Sequence, residues 1–149
     1  MKPLDTIHSV LTLKGRQSWS VAPTATVYEA IEKMSEKGVG ALLVLDEGQL
    51  SGIISERDYA RKVILRDRSS KQTQVREIMT SPVLTVTSQQ TVEECMRLMT
   101  ENRIRHLPVV DGGRVSGMIS IGDLVNWIIT AHEETIGQLR SYIAGSYPG

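Results

Sequence analysis

The sequence predicts a mixed α/β (α+β) fold of two βαββα units, on three observations: an ungapped internal duplication, a helix-start signature that recurs in both copies, and a Gly-containing hairpin after each signature. The duplication comes first, because an overlooked repeat misassigns a whole fold. Sliding the chain on itself by 65 positions places Val21 on Val86, Thr26 and Val27 on Thr91 and Val92, Glu29 on Glu94 and Met34 on Met99. The match runs on without a gap through Val44 on Val109, Asp46 on Asp111, Gly48 on Gly113, Gly52 on Gly117, Ser55 on Ser120 and Asp58 on Asp123.

Each copy then reads the same way locally. Short strands are expected at 19–21 and 84–86. Thr26 with Glu29, and Thr91 with Glu94, have the Thr-x-x-Glu spacing of a capping box, which satisfies two otherwise unpaired amides at a helix start. Val27, Ala30, Ile31 and Met34 follow at helical spacing, and Val92, Cys95, Met96 and Met99 repeat the stripe, so one face of each helix is core. Apolar runs at 41–45 and 107–110 lead through Asp46-Glu47-Gly48 and Asp111-Gly112-Gly113 into second runs at 50–54 and 115–119, each pair a β-hairpin. A second helix is expected over 56–68 in one copy and from 121 to beyond 129 in the other.

The domain organisation follows: a first copy with an N-terminal extension over 1–68, a polar linker over 69–77, a second copy over 78–130 and a tail over 131–149. Ile136, Leu139 and Ile143 put a helical stripe in that tail. A copy this small cannot bury both faces of a sheet alone, so the two should pack as one unit with a ligand cleft between them.

Lysine plus arginine number 17 and aspartate plus glutamate 17, so no global field attracts nucleic acid or an anionic membrane. No apolar run approaches the length of a membrane span, no secretory leader is evident, and a cytoplasmic protein is expected. Cys95, the single cysteine, supplies neither an internal disulfide nor a thiolate cluster. It reads as a core thiol, and His8 and His132 share no metal-ligand spacing. Trp19 and Trp127 read as packing residues.

The repeated Gly-x-x-Ser-x-x-Asp segments at 52–58 and 117–123, with the run Asn102-Arg103-Ile104-Arg105-His106-Leu107-Pro108-Val109-Val110-Asp111, resemble a tandem pair of cystathionine-β-synthase (CBS) domains, also called a Bateman module. The resemblance implies two CBS repeats packed with pseudo-twofold symmetry and clefts for adenosine-containing ligands: AMP, ADP, ATP, S-adenosylmethionine or NAD. It implies a stand-alone sensor or regulator of a partner protein rather than an enzyme, and a homodimer.

By the same resemblance Asp58 and Asp123 accept the vicinal hydroxyls of a ribose, with Ser55 and Ser120 near phosphate. Ser-x-x-Asp is equally a helix cap that needs no ligand. Arg105 and His106 are implied to reach the cleft of the other copy's aspartate, joining Ser55, Arg57 and Asp58 in one basic site. The Asp123 cleft would instead face the neutral Gly40 and Ala41, which gives an asymmetric pair of sites. Segments 14–18 and 79–82, with Lys14, Thr80 and Pro82, are implied adenine walls. AMP, ADP and ATP are thus the expected ligands, with NAD or S-adenosylmethionine binding, or a ligand-free adaptor, as the alternatives.

Overall fold

The computed structural model describes residues 5–131. The expected tail helix, with Ile136, Leu139 and Ile143, and His132 lie outside them. Two βαββα units are present. The first comprises β1 (Ser20–Val21), α2 (Val27–Lys37), β2 (Ala41–Asp46), β3 (Gln49–Ser55) and α3 (Glu56–Lys62), and the second comprises α5 (Val92–Asn102), β4 (His106–Asp111), β5 (Arg114–Ser120) and α6 (Ile121–Ala131). Ahead of them stand two helices, α1 (Ile7–Lys14) and α4 (Val75–Ile78).

The duplication extends to register. Val21 pairs in parallel with Val44 and Val86 with Val109, while the hairpins pair Ala41 with Ser55 and His106 with Ser120. Both hairpins carry an irregularity at the same place, between Val44 and Leu45 and between Val109 and Val110. Thr26 and Thr91 cap their helices, each hydroxyl accepting the amide of the glutamate three residues on at 3.1 Å, which is the forward half of the expected capping box.

The strand expected at 84–86 does not form; Val86 alone bridges to the sheet. The reason is Pro108. In the first copy the Leu43 amide donates to the Trp19 carbonyl at 3.0 Å. The equivalent donor in the second copy is a proline, which has no N–H, so nothing draws Leu84 into the ladder. The helix expected over 56–68 is also shorter, because Val63 leaves helical geometry (φ −117°, ψ −65°) and only a 3₁₀ turn, Ile64–Arg66, follows.

The largest departure concerns the segments ahead of each copy. The expected linker over 69–77 is not all linker: Val75 begins α4, and Val75 and Ile78 are buried in the first repeat's core with Val27, Ala30, Met34, Leu42 and Ile54. The N-terminal extension, assigned above to the first copy, packs on the second. Ile7, Val10 and Leu11 join Val86, Val92, Cys95, Met99, Leu107 and Ile119. The docking is the same at both places. Ile7 donates to the Gln90 carbonyl and Val92 to that of Asp5, while Val75 donates to Ala25 and Val27 to Thr73, all at 2.8–2.9 Å. Each repeat's core is therefore completed by the segment that precedes the other repeat. Apolar faces that neither unit can cover alone are removed from water only in the pair.

A third cluster joins the sheets face to face: Ala41, Leu43 and Ile53 meet Met118 and Val115. Side chains alternate along a strand, so Leu42 and Val44 face the helices while Ala41 and Leu43 face the other repeat. The position equivalent to Ala41 is His106, which places the imidazole at the junction of the two repeats.

Candidate ligand cleft

A cleft of about 580 Å³ opens beside α3, within the size range of small-molecule sites. The first repeat contributes Gly40, Ile53 and Ser55 with Glu56, Arg57, Asp58, Arg61 and Lys62 of α3. The segment after α4 contributes Thr80, Pro82, Val83 and Leu84, and the α5–β4 connection contributes Asn102, Arg103, Ile104, Arg105 and His106. Seven of the ten residues proposed from sequence thus share one wall system: Ser55, Arg57, Asp58, Thr80, Pro82, Arg105 and His106. Arg61, Lys62 and Asn102 were not anticipated. Lys62 had a signal, since it follows Asp58 by four residues and so shares its helix face.

Leu84 lines the cleft because Pro108 keeps it out of the sheet. Thr80 is held by reciprocal backbone bonds with Ile53, at 2.8 and 3.1 Å. Gly52 makes that approach possible: a Cβ there would stand 2.6 Å from Met79 Sδ and 3.0 Å from the Thr80 carbonyl oxygen.

Asp58 is buried and divides its carboxylate between two tasks. Oδ2 accepts the Ser55 amide at 3.0 Å and the Ser55 hydroxyl at 3.1 Å, while the Asp58 amide donates back to that hydroxyl, closing a capping box. Oδ1 faces the cleft, where Thr80 Oγ1 donates at 3.3 Å and Lys62 Nζ stands at 3.1 Å. The Ser55 hydroxyl therefore serves its own helix cap. Ser120 and Asp123 form the same cap, at 2.8 and 3.1 Å.

The cleft's charge is one-sided. Arg57, Arg61, Lys62, Arg103 and Arg105 outnumber Glu56 and Asp58. Arg57 also ties the repeats together, Nη1 donating to the Arg103 carbonyl at 2.9 Å. Arg103 holds a left-handed conformation (φ 55°) at the end of α5, which turns its carbonyl toward α3.

Lys14, Ser120 and Asp123 lie apart from this cleft. Lys14 was expected as an adenine wall. Its ammonium instead pairs with Asp123 Oδ2 at 2.5 Å and donates to the Met118 carbonyl at 2.6 Å, because α1 docks on the second repeat. The Asp123 side is therefore not flanked by the neutral Gly40 and Ala41 alone. His106 is shared: a Cβ on Gly40 would lie 3.5 Å from its Cε1 and 3.0 Å from Glu56 Oε1. Burial holds the His106 imidazole below its ordinary pKa, against the attraction of Asp123.

The cleft combines an apolar wall of Ile53, Pro82, Val83, Leu84 and Ile104 with the Asp58 carboxylate and several guanidinium groups. Among the described residues no group of three or more His, Cys, Asp or Glu side chains could hold a metal, and no helix is long and apolar enough to cross a membrane. Burial pushes the Cys95 thiol up to about 12, as suits a core residue.

Comparison with known proteins agrees with this architecture. The CBS domain family model matches residues 15–65 and 75–130. CBSX3, a mitochondrial CBS domain-containing protein of Arabidopsis thaliana, is 45% identical over 151 residues, covering 95% of this chain and 73% of that protein. A structure of a protein with CBS domains from Burkholderia ambifaria MC40-6 superposes with a TM-score of 0.82 at 53% identity, covering 84% of this chain and 94% of that one. The CBS domain pair of protein MJ0100, in complex with 5-methylthioadenosine and S-adenosyl-L-methionine, superposes with a TM-score of 0.75 at 25% identity, over 85% of this chain and 97% of the other. With two matched repeats and one shared core between them, the chain belongs to the CBS domain family as a tandem pair.

Proposed function

We propose that the cleft beside Asp58 binds an adenine nucleotide, AMP first and then ADP or ATP, and that the chain is a cytoplasmic nucleotide sensor that regulates a partner protein. One observation carries this reading: the cleft-facing oxygen of Asp58 shares a single cavity with a surplus of arginine and lysine. A ribose presents two adjacent hydroxyl donors, and Asp58 Oδ1, which Thr80 and Lys62 hold, can exchange one of those partners for them. Arg103, Arg105 and Arg57 then meet the phosphate, each able to offer paired N–H donors.

A second reading has its own support, the methylthioadenosine and S-adenosylmethionine bound by the MJ0100 pair. The cationic lining disfavours a sulfonium and favours phosphate. Exposed apolar residues at Ile64 and Leu65, and at Val125 and Ile129 on α6, support a homodimer assembled through helices.

Thermal melting tests the reading. AMP at 100 times its dissociation constant is expected to add about 2.7 kcal/mol to the stability of the chain. A shift with S-adenosylmethionine and none with AMP, ADP, ATP or NAD would transfer the site to the second reading. No shift with any of them would leave a ligand-free adaptor.

A further inference from the structure

His106 stands where the two repeats and the two aspartates meet. It lines the Asp58 cleft, and its ring packs against Gly40 of the first repeat. Charged groups face it from every side. Glu56 and Arg57 come from α3, with Asp58 in the same cleft; Arg105 precedes it in the chain; Asp123 acts from α6 and Lys14 from the end of α1. Asp123 and Lys14 are themselves an ion pair, and both act on the ring.

We propose that a phosphate group entering the Asp58 cleft loads a proton onto His106, so that binding there is coupled to pH and to the Lys14–Asp123 ion pair. The proposal rests on the nucleotide reading above and adds its regulation.

Without ligand, burial, Lys14 and Arg105 all disfavour the imidazolium, and Asp123 favours it. Together they hold the imidazole below its ordinary pKa. An opposite charge brought within ion-pair distance raises such a pKa by roughly 1–3 units. The sign follows from linkage: ligand that raises the His106 pKa binds more tightly as pH falls. The gain is absent above the ligand-bound pKa and complete below the ligand-free one. Each unit of upward shift corresponds to about tenfold in affinity between those limits.

Two variants outside the cleft wall move the balance in opposite directions. Asp123→Asn removes the attraction that favours the imidazolium, so AMP binds more weakly at neutral pH. Lys14→Met removes a repulsion and unmasks Asp123, so AMP binds more tightly. A merely structural role for the ion pair would weaken binding in both.

The test is an NMR titration of the imidazole Cε1–H signals of the full chain over about pH 5 to 9, alone and with saturating AMP. His106→Gln assigns the resonance among His8, His106 and His132. The expected result is a midpoint that rises by about one unit or more with AMP, and calorimetric affinity about tenfold tighter at the acid limit than at the alkaline limit. That pH dependence shrinks in His106→Gln to the titration of the AMP phosphate itself. Binding heat with an unmoved His106 midpoint would overturn the proposal and leave the nucleotide reading intact. Should His106→Gln fail to fold, opposite shifts from Asp123→Asn and Lys14→Met support the coupling, and shifts of the same sign overturn it. No heat with AMP, ADP or ATP would overturn both readings.

Discussion

Leu11→Ala is expected to destabilise the chain by about 2–5 kcal/mol, the usual cost of emptying a buried leucine site. Leu11 is fully buried although it lies ahead of both repeats, and its Cδ2 is 3.0 Å from the position a Cβ on Gly117 would take. The lost packing is in the second repeat, more than 70 positions further on in the chain, with Val86, Leu107 and Ile119 around it. For a chain of this size each kcal/mol corresponds to roughly 2–4 °C, so the melting temperature should fall by on the order of 10 °C. Leu13→Ala on the same helix, 55% exposed, is the control and should change stability by less than about 0.5 kcal/mol. Equal melting of Leu11→Ala and wild type would show that α1 is not part of the core.

Asp58→Ala is expected to weaken AMP binding more than a hundredfold. Hydrogen bonds to a charged acceptor contribute about 1.5–3 kcal/mol each, and two ribose hydroxyls lose theirs together. Removing the carboxylate also opens half of the capping box on α3, which costs about 1 kcal/mol of stability, so the variant still folds. Asp58→Asn keeps one acceptor and should fall between wild type and alanine. Calorimetric titration with AMP separates the three. Asp58→Ala with wild-type affinity would assign the carboxylate to helix capping alone.

What the sequence could and could not convey follows from where each piece of information is stored. The capped helices, hairpins and their register depend on residues within one copy, and the 65-residue offset displays each of them twice. The basic cleft was legible in Arg57, Arg105 and His106 because their counterparts, Gly122, Gly40 and Ala41, are uncharged. Helix α1 carried a local signal, Thr6 capping Ser9 ahead of Ile7, Val10 and Leu11 at helical spacing. It went unassigned because nothing at the repeat offset matches it: the corresponding segment forms only the four-residue α4. Its exchange onto the other repeat could not be read locally, since both cores offer it similar apolar surface and only the chain's path decides. The pairing of Lys14 with Asp123 follows directly from that exchange.

Pro108 is the instructive residue. It satisfies the apolar pattern of a central strand position, and side-chain patterning alone therefore leaves the strand at 84–86 in place. The missing N–H cancels it, and the freed Leu84 becomes cleft wall. Likewise the Ser-x-x-Asp spacing served two readings from the outset; the structure shows the cap, made by Oδ2, and leaves Oδ1 to Thr80 and Lys62 beside the cavity.

The decisive measurement is a crystal structure of the full chain with AMP. The account predicts ribose hydroxyls on Asp58 Oδ1, with Lys62 or Thr80 giving way, the base against Ile53 and Leu84, and the phosphate among Arg57, Arg103 and Arg105. Nucleotide bound elsewhere, with Lys62 and Thr80 still closed on Asp58, would contradict it.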